Sequence, residues 1–209
     1  MAQQGSLTVI SGFSGAGKGT IVKELLKRYP EYALSVSVTT RKPRPGEVDG
    51  KDYYFISQPE FDNLVETDGL LEHAGYVDHC YGTPRRYVEE AIAQGKDVLL
   101  EIEVQGAHQV KQKREDAILL FVTPPSAKEL HQRLVGRGTE TADVIRDRMR
   151  RASEEASEIS WYDYLIINDN LDDAVELVHR TIQEAKNAPL RKAAMIADLT
   201  DQLKEMAGC

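Results

Sequence analysis

The sequence predicts an α/β fold, a parallel sheet flanked by helices in a three-layer core. Three observations carry that expectation. The apolar run Leu7-Thr8-Val9-Ile10 leads directly into a glycine-rich loop and then into a stretch of helical periodicity. Short runs, apolar on successive residues, recur at Val98 to Ile102, Ile118 to Val122 and Leu165 to Ile167, as strands covered on both faces must be, and each is followed by helical spacing. The composition, 41% hydrophobic and 29% charged over 209 residues, is that of a globular chain long enough for one α/β domain with a buried core.

After the loop, Ile21, Val22, Leu25, Leu26 and Tyr29 repeat with helical spacing until Pro30. Residues 37 to about 95 then break the strand-helix rhythm. Val36 and Val38 alternate, Pro43-Arg44-Pro45-Gly46 reads as a turn, and Asp49-Gly50 before Tyr53-Tyr54-Phe55-Ile56 suggests a hairpin. We expect an inserted α+β lobe here. Thr83 before Pro84 reads as a helix N-cap followed by proline at the first helical position. Ser126-Ala127-Lys128-Glu129 has capping-box spacing. An arginine-rich excursion from about 133 to 153, with Gly136 and Gly138 as hinge points, reads as a mobile flap. Ala174, Val175, Val178, Ile182 and Ala185 form a core-facing stripe. After Pro189, Ile196, Leu199, Leu203 and Met206 recur at three- and four-residue spacing, a helix for the chain's own core or for a second subunit, with its own core expected.

The loop carries the first chemistry. Gly12-Phe13-Ser14-Gly15-Ala16-Gly17-Lys18 between strand and helix lets successive backbone N–H groups point into one hollow. The helix N-terminus adds partial positive charge, and the Lys18 ammonium reaches the outer phosphates of a nucleotide. The residue after the lysine is Gly19, where a Ser or Thr normally offers a hydroxyl to Mg²⁺. Either Thr20 takes that role or phosphates and water hold the metal.

A net charge of −8 disfavours non-specific nucleic-acid binding but leaves room for a small anion held by a local arginine cluster. No long apolar run or signal-like start is present, so a soluble, unexported chain is expected. Cys80 and Cys209 lie far apart and outside metal-ligand spacing, which fits a reducing cytoplasm. Arg41 and Arg44 stand three residues apart where a strand end enters a proline-constrained turn, a pair suited to gripping one phosphate.

Taken in order, the glycine-rich loop, Thr39-Thr40-Arg41 through Glu47, Gly50-Lys51-Asp52-Tyr53-Tyr54-Phe55, Leu71-Glu72-His73-Ala74, Tyr81-Gly82-Thr83, Glu101 through Ala107, Gly136-Arg137-Gly138 and Ile167-Asn168-Asp169 make this chain resemble the guanylate kinases. The resemblance runs from about residue 5 to 186. It implies a P-loop NTPase-type core (1–36, 96–132 and 154–209), an inserted nucleoside-monophosphate lobe (37–95) and a helical lid (133–153). It also implies phosphoryl transfer from MgATP to GMP, with dGMP secondary; the charge, cysteines, short apolar runs and C-terminal stripe add the expectation of a cytoplasmic monomer or homodimer that engages neither nucleic acid nor membrane.

By the same resemblance, Gly12 to Thr20 and Asn168 hold ATP, and Lys18, Arg41, Arg133, Arg137 and Arg148 serve catalysis. Arg41, Arg44, Tyr53 and Tyr81 clamp the acceptor phosphate, and Ser37, Glu72 and Thr83 read guanine. Glu103 falls to the guanine side and Glu101, with Thr20, to the water shell of Mg²⁺. A carboxylate at Glu72 suits the adjacent N1–H and 2-amino donors of guanine, whereas adenine offers a lone pair at N1. The acceptor is already an anion, so neither His73 nor His79 is needed as a base. Two other readings stay open: a catalytically silent binding module of the same fold, and a kinase for a different phosphate acceptor.

Overall fold

The computed structural model describes residues 5–76, 78–136 and 141–207. Five strands form a wholly parallel sheet in the order β2-β7-β1-β8-β9. These are β1 (Leu7–Gly12), β2 (Tyr32–Leu34), β7 (Asp97–Glu101), β8 (Ile118–Thr123) and β9 (Tyr164–Ile167). The register sets Leu7 beside Val98, Thr8 beside Ile118, and Leu120 beside Tyr164. Parallel strands need crossovers, and helices supply them. Helix α1 (Lys18–Arg28) packs on α7 (Leu171–Ala185), while α3 (Arg85–Ala93) and α4 (Val104–Lys113) lie against β7 and β1.

Burial explains the sequence pattern. Ile118 to Val122 have no accessible surface, so the central strand β8 is apolar at every position. β9 departs from the expectation of two covered faces: it is a sheet edge, and Tyr164, Leu165 and Ile167 are 40–51% exposed. The α7 stripe holds as read, since Ala174, Val175, Val178, Ile182 and Ala185 are all buried. Asn170 caps that helix, its side-chain oxygen accepting from the N–H groups of Asp172 and Asp173.

The second sheet, in the order β4-β3-β6-β5, is made of β3 (Val38–Thr39), β4 (Tyr54–Phe55), β5 (Leu70–Tyr76) and β6 (His79–Pro84). Helix α2 (Gln58–Glu66) joins β4 to β5 and starts with a full capping box between Ser57 and Glu60. A small apolar cluster of Val38, Phe61 and Leu70 holds this lobe together. The expected hairpin before Tyr53 is not there: β4 pairs with β3 in parallel, Val38 beside Tyr54, so residues 40–53 form a crossover loop. Its turn at Arg44-Pro45-Gly46-Glu47 closes with the Glu47 N–H donating to the Arg44 carbonyl at 3.0 Å and Gly46 at φ +91°. Proline at the second position and a left-handed glycine at the third make it a type II turn.

Two further expectations change. Thr83 is no helix cap: β6 runs to Pro84, α3 begins at Arg85, and the Thr83 hydroxyl is committed elsewhere. Helix α8 (Ala193–Ala207) forms where the C-terminal spacing placed it, but it buries no residue, so packing on its own core is not found. No helix among the described residues is long and apolar enough to cross a membrane.

Candidate active site

The glycine-rich loop links β1 to α1 at the carboxyl edge of the parallel sheet, where doubly wound folds bind ligands. Gly15 and Gly17 hold φ of +93° and +92°, a region open to glycine at no steric cost. A side chain at Gly17 would also meet the Asn168 amide at 2.5 Å. That amide, buried after β9, donates to the Ala16 carbonyl at 2.8 Å and braces the loop from behind. Phe13 anchors the other side, edge-on to Phe121 at 5.0 Å. Lys18 Nζ donates to the carbonyls of Gly12 at 2.5 Å and Phe13 at 3.2 Å, which holds the ammonium across the loop.

Around this loop, Arg148 of helix α6 (Ala142–Ala156) donates to the Ser14 hydroxyl, so one of the three expected catalytic arginines of the 133–153 segment meets the glycine-rich loop. Arg133, on α5 (Ala127–Gly136), donates to Glu129 at 2.9 Å one turn back. Arg137 and Gly138 lie outside the described residues, as does Cys209. Glu101 ends β7 and lies against Gly19: a Cβ there would stand 3.4 Å from Glu101 Oε1. Desolvation pushes the Glu101 carboxyl up while the Lys18 ammonium pulls it down. Thr20 is exposed in the first turn of α1. Glu103 lies beyond β7, as the N-cap residue of α4.

The residues expected to take the acceptor lie on or beside the second sheet. Glu72 of β5 is 7% exposed and accepts a hydrogen bond from the Thr83 hydroxyl at 2.6 Å. Burial raises its carboxyl, with the Thr83 bond opposing. Gly106 in α4 permits the close approach, because a Cβ there would sit 3.0 Å from Glu72 Oε2. Ser37 precedes β3, and its carbonyl accepts the Tyr54 N–H at 2.9 Å.

Arg41 follows β3, fixed by Thr39, whose hydroxyl donates to the Cys80 carbonyl and accepts the Arg41 N–H. The Arg41 guanidinium lies 5.5 Å from the Tyr53 ring centroid and beside the Tyr81 hydroxyl, and the two tyrosine rings meet edge-on at 5.9 Å. Three of the four expected clamp residues are therefore together, with Arg44 exposed on the turn beside them.

Three contributors were not singled out in the sequence. Gln109 of α4 pairs with both backbone groups of His73 at 3.0 Å, tying the Glu72 strand to the core. Glu155 of α6 faces Lys18 and Glu103, and burial raises its carboxyl. Glu47 grips Arg41 through both carboxylate oxygens at 2.8 and 2.9 Å. Only Glu47 had a visible signal, its fixed place after Pro-Gly in the turn.

A sequence model of the guanylate kinase family matches residues 4–185. A guanylate kinase of Latilactobacillus sakei is 46% identical over the whole of both chains. One from Streptococcus thermophilus is 52% identical over 184 residues, 88% of each chain. A crystal structure of guanylate kinase from Anaplasma phagocytophilum superposes with a TM-score of 0.70 at 30% identity, covering 90% of both chains. With this loop, this buried carboxylate and these relatives, the chain belongs to the guanylate kinase family.

Proposed function

We propose that this chain transfers the γ-phosphoryl group of ATP to GMP, giving ADP and GDP, with dGMP as a second acceptor. The observation that carries the choice of base is the buried Glu72 carboxylate held by Thr83. One Glu72 oxygen is taken up by that bond, and the carboxylate accepts the N1–H and 2-amino group of guanine. Adenine would leave it desolvated against an acceptor, and sites of this kind reject mismatched analogues by roughly 10⁴ to 10⁵.

In this reading Gly12 to Gly17 cradle the donor phosphates with backbone N–H groups, and Lys18 exchanges its loop carbonyls for phosphate oxygens. Arg41, Arg44, Tyr53 and Tyr81 hold the acceptor phosphate, whose oxygen attacks Pγ as the bond to the β–γ bridging oxygen breaks. Arg148, with Arg133 and Arg137, neutralises charge spread over the equatorial oxygens of the moving group. Mg²⁺ suits the oxygen donors present, the Glu101 carboxylate and the Thr20 hydroxyl acting through its water shell; when bound it neutralises the donor phosphates. No proton need leave the acceptor, so no histidine is assigned. The division into core (1–36, 96–132, 154–209), GMP lobe (37–95) and lid (133–153), a cytoplasmic setting, and a monomer or homodimer complete the proposal.

The test is ADP formation from MgATP with GMP, dGMP, AMP, CMP and UMP offered separately beside a no-acceptor control. Turnover with GMP, dGMP trailing, is the expected result. Folded protein that turns over none of them would favour the catalytically silent binding module. In the same assay Lys18→Ala should lose most turnover while still binding GMP.

A further inference from the structure

We infer that Glu47 is a positioning residue for the acceptor phosphate: it sets the Arg41 guanidinium and the Arg44 backbone in the geometry that receives GMP. This rests on the assignment of Arg41 and Arg44 to the phosphate clamp.

The geometry starts from the type II turn. By closing Arg44-Pro45-Gly46-Glu47, the chain brings the Glu47 carboxylate back under the two arginines, where Oε2 accepts the Arg44 N–H at 2.7 Å. The same carboxylate takes Arg41 end-on, Nη2 donating to Oε1 at 2.8 Å and Nη1 to Oε2 at 2.9 Å. Nη1 also donates to the Lys42 carbonyl at 2.8 Å. A guanidinium carries five N–H donors on a rigid plane. These three bonds use both hydrogens of Nη1 and one of Nη2, and Nε–H with the second Nη2–H form the side-on edge, with the Tyr81 hydroxyl close to the guanidinium, that grips a phosphate through two parallel bonds.

The contact is built to persist. The side chains of Arg41 and Glu47 are 11% and 20% exposed, and the guanidinium lies over the adjacent Tyr53 and Phe55 rings at 5.5 and 5.9 Å. The Arg41 guanidinium and the Arg44 N–H hold the Glu47 carboxyl down to about 2, so it stays ionised wherever the enzyme works. An arginine on a bare loop must give up rotamer freedom each time it binds phosphate. Glu47 removes that freedom in advance and leaves one edge presented.

A carboxylate near a phosphate site also repels it, so the opposite outcome has a definite form. If repulsion or competition for Arg41 dominated, removing the Glu47 charge would tighten GMP binding. Positioning makes the reverse claim, because both arginines depend on one carboxylate and the phosphate takes the edge Glu47 leaves open.

The experiment compares binding of GMP with binding of guanosine by calorimetry, since guanosine reports the base site without the clamp. Glu47→Gln keeps the size and loses the ionic fork, and Glu47→Asp keeps the charge with a shorter reach. We expect Glu47→Gln to weaken GMP about tenfold, with guanosine affinity unchanged, and Glu47→Asp to fall between. In turnover the KM for GMP should rise more than kcat falls. Unchanged or tighter GMP binding in Glu47→Gln, or an equal loss for guanosine, overturns the inference. Arg41→Ala is the control for the clamp itself: if it retains the wild-type preference for GMP over guanosine, the clamp assignment fails, whatever Glu47 does.

Discussion

At the level of single residues the site rests on two glutamates with opposite electrostatics. Glu47 is ionised under all working conditions, whereas burial raises the Glu72 carboxyl. As pH falls, Glu72 takes up a proton before an ordinary carboxyl does, and in the proposed readout it then ceases to accept from guanine. We therefore expect the KM for GMP to rise on acidification at a higher pH than an unshifted carboxyl would give, and to lose that dependence in Glu72→Gln. Stability moves the other way. A raised acid pKa means the folded state binds the proton more tightly, so the contribution of Glu72 to folding is greatest at low pH and is lost as pH rises through its folded value. Steady-state kinetics and denaturant unfolding over one pH series measure both trends, and parallel trends would remove Glu72 from the readout. Both glutamates lie in motifs visible in the sequence, yet only Glu72 had an evident chemical partner. The Glu47 contact needs a closed turn, which a sequence pattern suggests but does not align with Arg41.

At the level of elements, apolar runs located β1, β7 and β8 because these strands are buried on both faces, and a continuous apolar string then has one meaning. β2 went unseen, since Tyr32-Ala33-Leu34 is three residues long with one side chain buried, too little for any period. Thr83 was misread because Thr-Pro before a helix is a frequent cap; here the hydroxyl is drawn to a carboxylate eleven residues away, a tertiary contact that outweighs the local one. Tertiary anchoring is just as plain at Asp97, which opens β7 and is 1% exposed. It accepts from Ser6 N and Oγ at 2.9 Å, from Lys186 Nζ at 2.8 Å and from Gln183 at 3.2 Å, joining the entry to β1 with the end of α7. Asp97→Ala leaves the Lys186 ammonium, its side chain 12% exposed, without its carboxylate; losses from fully buried pairs cost about 3–5 kcal/mol, and the partial exposure of Lys186 puts this one toward the lower end. Urea unfolding should show that drop with the m-value unchanged, while GMP selectivity in the remaining folded enzyme stays as it was.

Across the whole molecule, α8 stands apart from the buried core. The family match stops at residue 185, the last residue of α7, and the chain continues through a short 3₁₀ turn at Pro189–Lys192 into α8. The turn is anchored, with Arg191 donating to the Asp116 carbonyl at 2.8 Å and to the Ala117 carbonyl at 3.3 Å. Beyond it the anchoring stops: Ile196, Leu199, Leu203 and Met206 are 41–87% exposed. The helical period was legible, but amphipathic spacing says only that a face is apolar and not what lies against it. A helix that buries nothing contributes almost nothing to the cooperative unit, and surface changes of this kind fall within about 0.5 kcal/mol. Ending the chain after Lys192 should therefore leave the midpoint of thermal unfolding within about 2 °C and the KM for GMP unchanged. The contacts described above for the glycine-rich loop and for the proposed clamp and base pocket all come from residues before 186. A fall of several degrees would show instead that the apolar stripe is covered in solution. Repeating the melt over a range of protein concentrations then separates a contact with the chain's own core from one with a second copy, since only the latter depends on concentration.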